Sequence, residues 1–79
     1  MHIDNLVHMA NRIGEFFQSV PDPDEAARET AEHLRKFWEP RMRRLLLEHL
    51  DRTDGAGLLP IVKAALLAHR ESLEPAATV

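Results

Sequence analysis

Five prolines, at positions 21, 23, 40, 60 and 75, constrain this 79-residue chain more than any other feature. Between them the composition favours helix: it is rich in Ala, Leu, Glu and Arg, poor in β-branched residues and without Tyr. A proline inside a helix removes a hydrogen bond and clashes with the preceding turn, whereas one at a first helical position costs little. The prolines therefore cut a helix-forming chain into short rods. No window alternates apolar and polar residues, so no strand is expected.

Each rod carries an apolar stripe. Ile3, Leu6, Val7, Ala10, Ile13, Phe17 and Val20 recur at spacings of three and four. Asp4 is read as the N-cap of this first helix and Pro21 as its stop; Gly14 inside it either lets another helix come close or is simply tolerated at a cost of about 1 kcal/mol. Asp22-Pro23-Asp24-Glu25 is the clearest start signal: an N-cap Asp, Pro at the first helical position and Glu at capping-box spacing. Ala27, Thr30, Ala31, Leu34, Phe37 and Trp38 form the expected buried stripe of the second helix. Its alanines predict a close crossing and its aromatics a wide one. Pro40 opens a third helix through Leu50 or Asp51, with Met42, Leu45, Leu46, Leu47 and Leu50 as its apolar residues. After a loop over 51–57, Leu58, Leu59, Val62, Ala65, Leu66 and Leu73 trace a fourth helix, starting at Leu59 or Pro60. The expected fold is all-α, a small bundle of about four short helices arranged as two helical hairpins. It forms one domain over residues 1–73, with residues 74–79 as a frayed tail.

Composition narrows the function. With no cysteine, disulfides and thiolate metal sites are excluded, and a reducing compartment is the natural setting. No apolar run is long enough to span a bilayer and no signal-peptide layout opens the chain, so a cytoplasmic location is expected. His2, His8, His33, His49 and His69 are scattered, without the spacing of a helical metal pair. No phosphate loop and no nucleophile–base–acid order stands out. The reading is of a chain that is not an enzyme and carries no metal.

Charge is unevenly placed. The net charge is −3, but residues 35–44 hold five of the ten bases, against Glu39 alone. Asp22 to Glu32 hold five acids and one Arg. Glu39 can reach Arg43, and Glu48 can reach Arg44, each at i,i+4, while Arg41 has no acid three or four residues away. Trp and Arg are over-represented at interface anchors. Trp38, Arg41, Arg43 and Arg44 therefore form the candidate partner-binding corner, set against the plainer reading of a solvated face. Phe16 is either the edge of a broad core face or a further partner contact. Two alternatives stand beside docking: a helix-turn-helix nucleic-acid module using the Pro40–Leu50 helix, and a self-associating bundle.

Leu6-Val7-His8-Met9-Ala10-Asn11-Arg12-Ile13-Gly14-Glu15-Phe16-Phe17 and His33-Leu34-Arg35-Lys36-Phe37-Trp38-Glu39-Pro40-Arg41-Met42-Arg43 together resemble the delta subunit of soluble NAD-dependent formate dehydrogenase. The helix from Leu58 to Leu66 also fits that layout. The resemblance implies a cytoplasmic complex that oxidises formate and passes electrons to NAD. It implies that the molybdenum or tungsten pterin, iron–sulfur clusters, FMN and NAD sit on larger partner subunits, with no cofactor on this chain. The role it implies is accessory, in assembly, maturation or stability of that complex, through protein–protein docking without nucleic acid or membrane.

Overall fold

The computed structural model describes residues 2–75, and within them the chain is helical with no strand. The helices are α1 (Ile3–Phe17), α2 (Pro23–Phe37), α3 (Pro40–Thr53), α4 (Pro60–Ala68) and the single turn α5 (Arg70–Leu73). Pro23, Pro40 and Pro60 each stand at a first helical position, where the missing N–H has no partner to lose. The all-α bundle expected from the sequence is the fold observed. Its radius of gyration is 11.6 Å, close to the roughly 12 Å that size scaling gives a compact chain of this length.

Several boundaries move for local reasons. His2, not Asp4, caps α1: its Nδ1 accepts from the Asp4 N–H at 3.2 Å, and Asp4 falls in the first turn. The helix ends at Phe17, three residues before Pro21 begins to constrain the chain. Asp22 caps α2 as expected, accepting from the Asp24 N–H at 3.1 Å. Glu25 turns away from the capping box and pairs with Arg28. Helix α3 runs on to Thr53, whose hydroxyl donates back to the His49 carbonyl at 2.7 Å. Asp54 then takes the left-handed conformation that stops the helix. The expected long fourth helix breaks at His69, with φ −122° and ψ 28°, so that Leu73 reaches the core from α5. Of the expected frayed tail, residues 76–79 lie outside the described residues.

Small residues set the packing. Helices α1 and α2 meet, as do α3 and α4, but the broadest contact joins α2 to α4, with α1 laid against both. Ala26, Ala27 and Ala31 of α2, Ala10 of α1 and Ala65 of α4 are all buried and keep the axes near one another. Gly14 is where α1 touches α4. A Cβ there would lie 2.7 Å from Val62 Cγ2 and 2.9 Å from Ile61 Cγ2, inside van der Waals contact. Leu6, Leu34, Leu46, Leu66 and Leu73 fill the space between the helices. Thr30, fully buried, satisfies its hydroxyl on the Ala26 carbonyl at 2.8 Å.

The α3–α4 connection is tied down by side chains. Asn11 of α1 donates from Nδ2 to the Gly57 carbonyl and accepts at Oδ1 from the Leu59 N–H, both at 2.9 Å. One amide thereby pairs two backbone groups that a loop would otherwise leave to water. Arg70 forks onto Asp51 with two bonds of 2.7 Å, pinning α5 to α3. That guanidinium holds the Asp51 carboxyl below its usual range.

Two outcomes test this packing. Gly14→Ala gains helix propensity of about 1 kcal/mol, but the clash with Val62 and Ile61 outweighs it at about 1–3 kcal/mol. A net fall of several degrees in the thermal midpoint is expected. The second concerns acid. A carboxylate whose pKa is depressed on folding stabilises the fold above its unfolded value and loses that contribution as the pH falls through the folded one. Asp51 should therefore contribute fully above about pH 4 and less below it. In acid titrations followed by circular dichroism, Asp51→Asn should show a shallower loss of stability below pH 4 than the parent chain.

Candidate protein-docking surface

The chain turns sharply between α2 and α3, and the turn sorts the aromatics. Helix α2 ends at Phe37. Trp38 leaves it with extended angles, φ −89° and ψ 137°, while its N–H still bonds the Leu34 carbonyl at 3.0 Å. That change of backbone direction carries the indole into the core, where Trp38 is only 7% exposed. Phe37, expected in the buried stripe, is instead 70% exposed. Phe37 is the last residue of α2, and Trp38, leaving the helix just after it, takes the core position that periodicity assigns to both.

Phe16 resolves the other way from the broad-core reading: it is 75% exposed. It does not stand alone. Phe16 meets Phe17 edge to face at 5.0 Å between ring centroids, Phe17 meets His33 at 6.0 Å, and His33 meets Phe37 at 4.7 Å. The four rings form a ladder from the end of α1 to the end of α2. A shallow groove runs beside it, lined by Phe17, His33 and Phe37 and by the charged Arg28, Glu29 and Lys36. Sequence reasoning placed Phe37 in the core and treated Phe16 singly, so it missed the ladder. The signal was the adjacent pair Phe16-Phe17: Phe17 lies on the apolar stripe of α1, and Phe16 stands about 100° round the helix from it.

The charges along α2 are partly matched. Arg28 pairs with Glu25, and Arg35 with Glu32, each one turn apart. Lys36 stands 3.8 Å from Glu32. These partners hold Glu25 and Glu32 below the usual carboxylate range, chiefly by hydrogen bonding. At the start of α3 the matching stops. No carboxylate among the described residues lies within salt-bridge distance of Arg41, Arg43 or Arg44, so the two i,i+4 pairs expected there do not form. Glu39 supplies no side-chain cap to α3 either. Arg41 and Arg44 are exposed, while Arg43 is half-buried, with its Nε enclosed and unpartnered. Of the five residues expected to bind a partner, Phe16, Arg41 and Arg44 are thus fully presented, Arg43 partly, and Trp38 almost not at all.

Among the described residues, no three of His, Asp and Glu gather as a metal site. His49 makes a local contact, 2.8 Å from Nε2 to the Ala56 carbonyl. Among the same residues, no helix is long and apolar enough to cross a membrane.

Comparison with known families assigns the chain. The family model described as NADH-dependant formate dehydrogenase delta subunit FdsD matches residues 5–66. The chain belongs to the FdsD family. Searches of curated proteins and of solved structures give no match. The matched span of this FdsD chain runs from α1 into α4 and includes the aromatic ladder, the α2–α3 corner and the Asn11 clamp. As a delta subunit it belongs to a formate dehydrogenase complex with larger partner subunits.

The sorting at the corner is measurable. Trp38→Ala should cost about 3–5 kcal/mol, the range for a buried aromatic truncated to alanine, and leave the chain largely unfolded. Phe37→Ala, beside it but exposed, should change stability by no more than about 0.5 kcal/mol. Chemical denaturation of the two variants makes the comparison.

Proposed function

We propose that the chain is a non-catalytic accessory subunit that docks onto a larger subunit of NADH-dependent formate dehydrogenase and supports the assembly, maturation or stability of that complex. The observation that carries this reading is the α2–α3 corner of an FdsD-family chain: Arg41 and Arg44 stand exposed with no carboxylate of the described residues within salt-bridge distance, on the helix that follows the exposed Phe37. Arginine forks onto carboxylates and backbone carbonyls with defined geometry, and unmatched arginines beside an aromatic are the usual chemistry of a protein-binding surface. The pterin, iron–sulfur clusters, FMN and NAD belong, in this reading, to the larger subunits in the cytoplasm. This chain contributes shape and charge to their assembly.

Arg41 and Arg44 provide the test, since both are exposed and the fold does not lean on them. Arg41→Glu with Arg44→Glu should lower recovery of the tagged chain with the larger subunits by about 10-fold or more, as charge reversal at an interface rim does. Far-ultraviolet circular dichroism of the isolated chain should not change. Recovery at the parental level would place the interface away from this corner.

A further inference from the structure

We infer that α5 is a strap with two positions: latched on α3, as observed, or released, with α4 running straight through His69 to Leu73 as one helix. The device belongs to this chain alone and stands whether or not the accessory reading does. It bears on that reading because the strap borders Arg44.

The break at His69 has no cause in the local sequence. From Ile61 to Glu74 the chain contains neither Gly nor Pro, and Val62, Leu66, His69 and Leu73 recur at spacings of three and four. Such a run favours one helix. Sharp kinks ordinarily mark a proline, a Gly/Ser pair or a bulge, yet the residue that bends is a histidine, with φ −122° and ψ 28°. Its N–H keeps the helical bond to the Ala65 carbonyl at 3.0 Å. Beyond it, the N–H groups of Ser72 and Leu73 both turn to the His69 carbonyl, at 3.1 and 3.3 Å. Straightening the joint restores the regular ladder between α4 and α5.

Tertiary contacts hold the bend instead. Leu73 is buried in the core, where α5 meets α2, α3 and α4, and Arg70 forks onto Asp51. The ion pair lies at the surface, with 36% of the Arg70 side chain and 54% of the Asp51 side chain exposed, so salt screens it and its contribution is modest. The contact of Arg70 with Glu74 joins residues four apart and survives in a straight helix. One leucine and one surface ion pair thus oppose the helical preference of the whole segment. Two such opposed preferences give two discrete arrangements. Release also changes the surface beside the proposed docking corner. The cleft between strap and α3 is lined by Arg44, Leu47, Glu48 and Asp51 on one side and by Arg70 and Glu74 on the other. Straightening takes Arg70 and Glu74 away from Arg44, leaves Asp51 without its base and opens the seat of Leu73.

Relaxation-dispersion NMR on the full chain, which sees minor states exchanging in microseconds to milliseconds, tests the strap. The parental chain should show exchange confined to residues around the joint, with minor-state Cα shifts of Ala68, His69 and Arg70 at helical values. Asp51→Asn, a surface change, should raise the ratio of released to latched chain about 3-fold, the size of an exposed ion pair. Asp51→Asn with Leu73→Ser lacks both holds and should show helical Cα shifts without interruption across 66–72. If that variant does not fold, the parental chain and Asp51→Asn carry the comparison. Absence of exchange at the joint in both would overturn the inference. So would a folded double variant that keeps the break at His69, or a minor state in which residues 69–73 have coil shifts.

Discussion

The contact between Gly14 and the start of α4 is the constraint on which the rest of the bundle depends. With no Cβ at Gly14, the methyls of Val62 and Ile61 come within 3 Å of where one would be. That approach lets α1 cross α4 while α2, with its alanine face, packs along the other side of α4. A chain this short buries only a modest fraction of its surface, so it gains most by bringing short helices very close. Gly14 and the buried alanines make that possible, and the leucines fill what remains. The Asn11 clamp depends on the same geometry, because only with α1 against α4 can one side chain span Gly57 and Leu59.

The α2–α3 corner shows the same economy applied to function. Pro40 starts a new helix, and the two-residue joint before it reverses the roles of adjacent aromatics. Trp38 turns in and seals the core, and Phe37 stays out and completes a surface ladder with Phe16, Phe17 and His33. A tryptophan and three arginines at one proline are consistent once the ring serves the core and the guanidiniums serve the outside. The same corner closes the core with Trp38 and leaves Phe37, Arg41 and Arg44 exposed.

Much of this could be read in the sequence. The helix starts at Pro23 and Pro40 followed from local chemistry, because a cap and a first-turn proline act within four residues and need no tertiary context. Trp38 as an inward residue and Arg41 as a base without an acid followed from periodicity alone, whereas Gly14 was open between close approach and mere tolerance until its contact with Val62 and Ile61 decided it. The exposed arginines were legible for the same reason. What failed were inferences that treat a helix as endless. Phe37 has the right angle to be buried but stands at the end of its helix, and the expected Glu39–Arg43 and Glu48–Arg44 pairs do not form.

The sequence by itself determined the class of fold, its division into short helices and the family to which the chain belongs, since these rest on spacing, caps and motifs local to the chain. Only the tertiary structure decided which apolar residues are core and which are surface. Burial depends on where a helix ends relative to its neighbours, and that is set by packing between segments far apart in sequence. Phe16 and Phe37, separated by 21 positions, become parts of one surface only because α1 crosses α2 at His33.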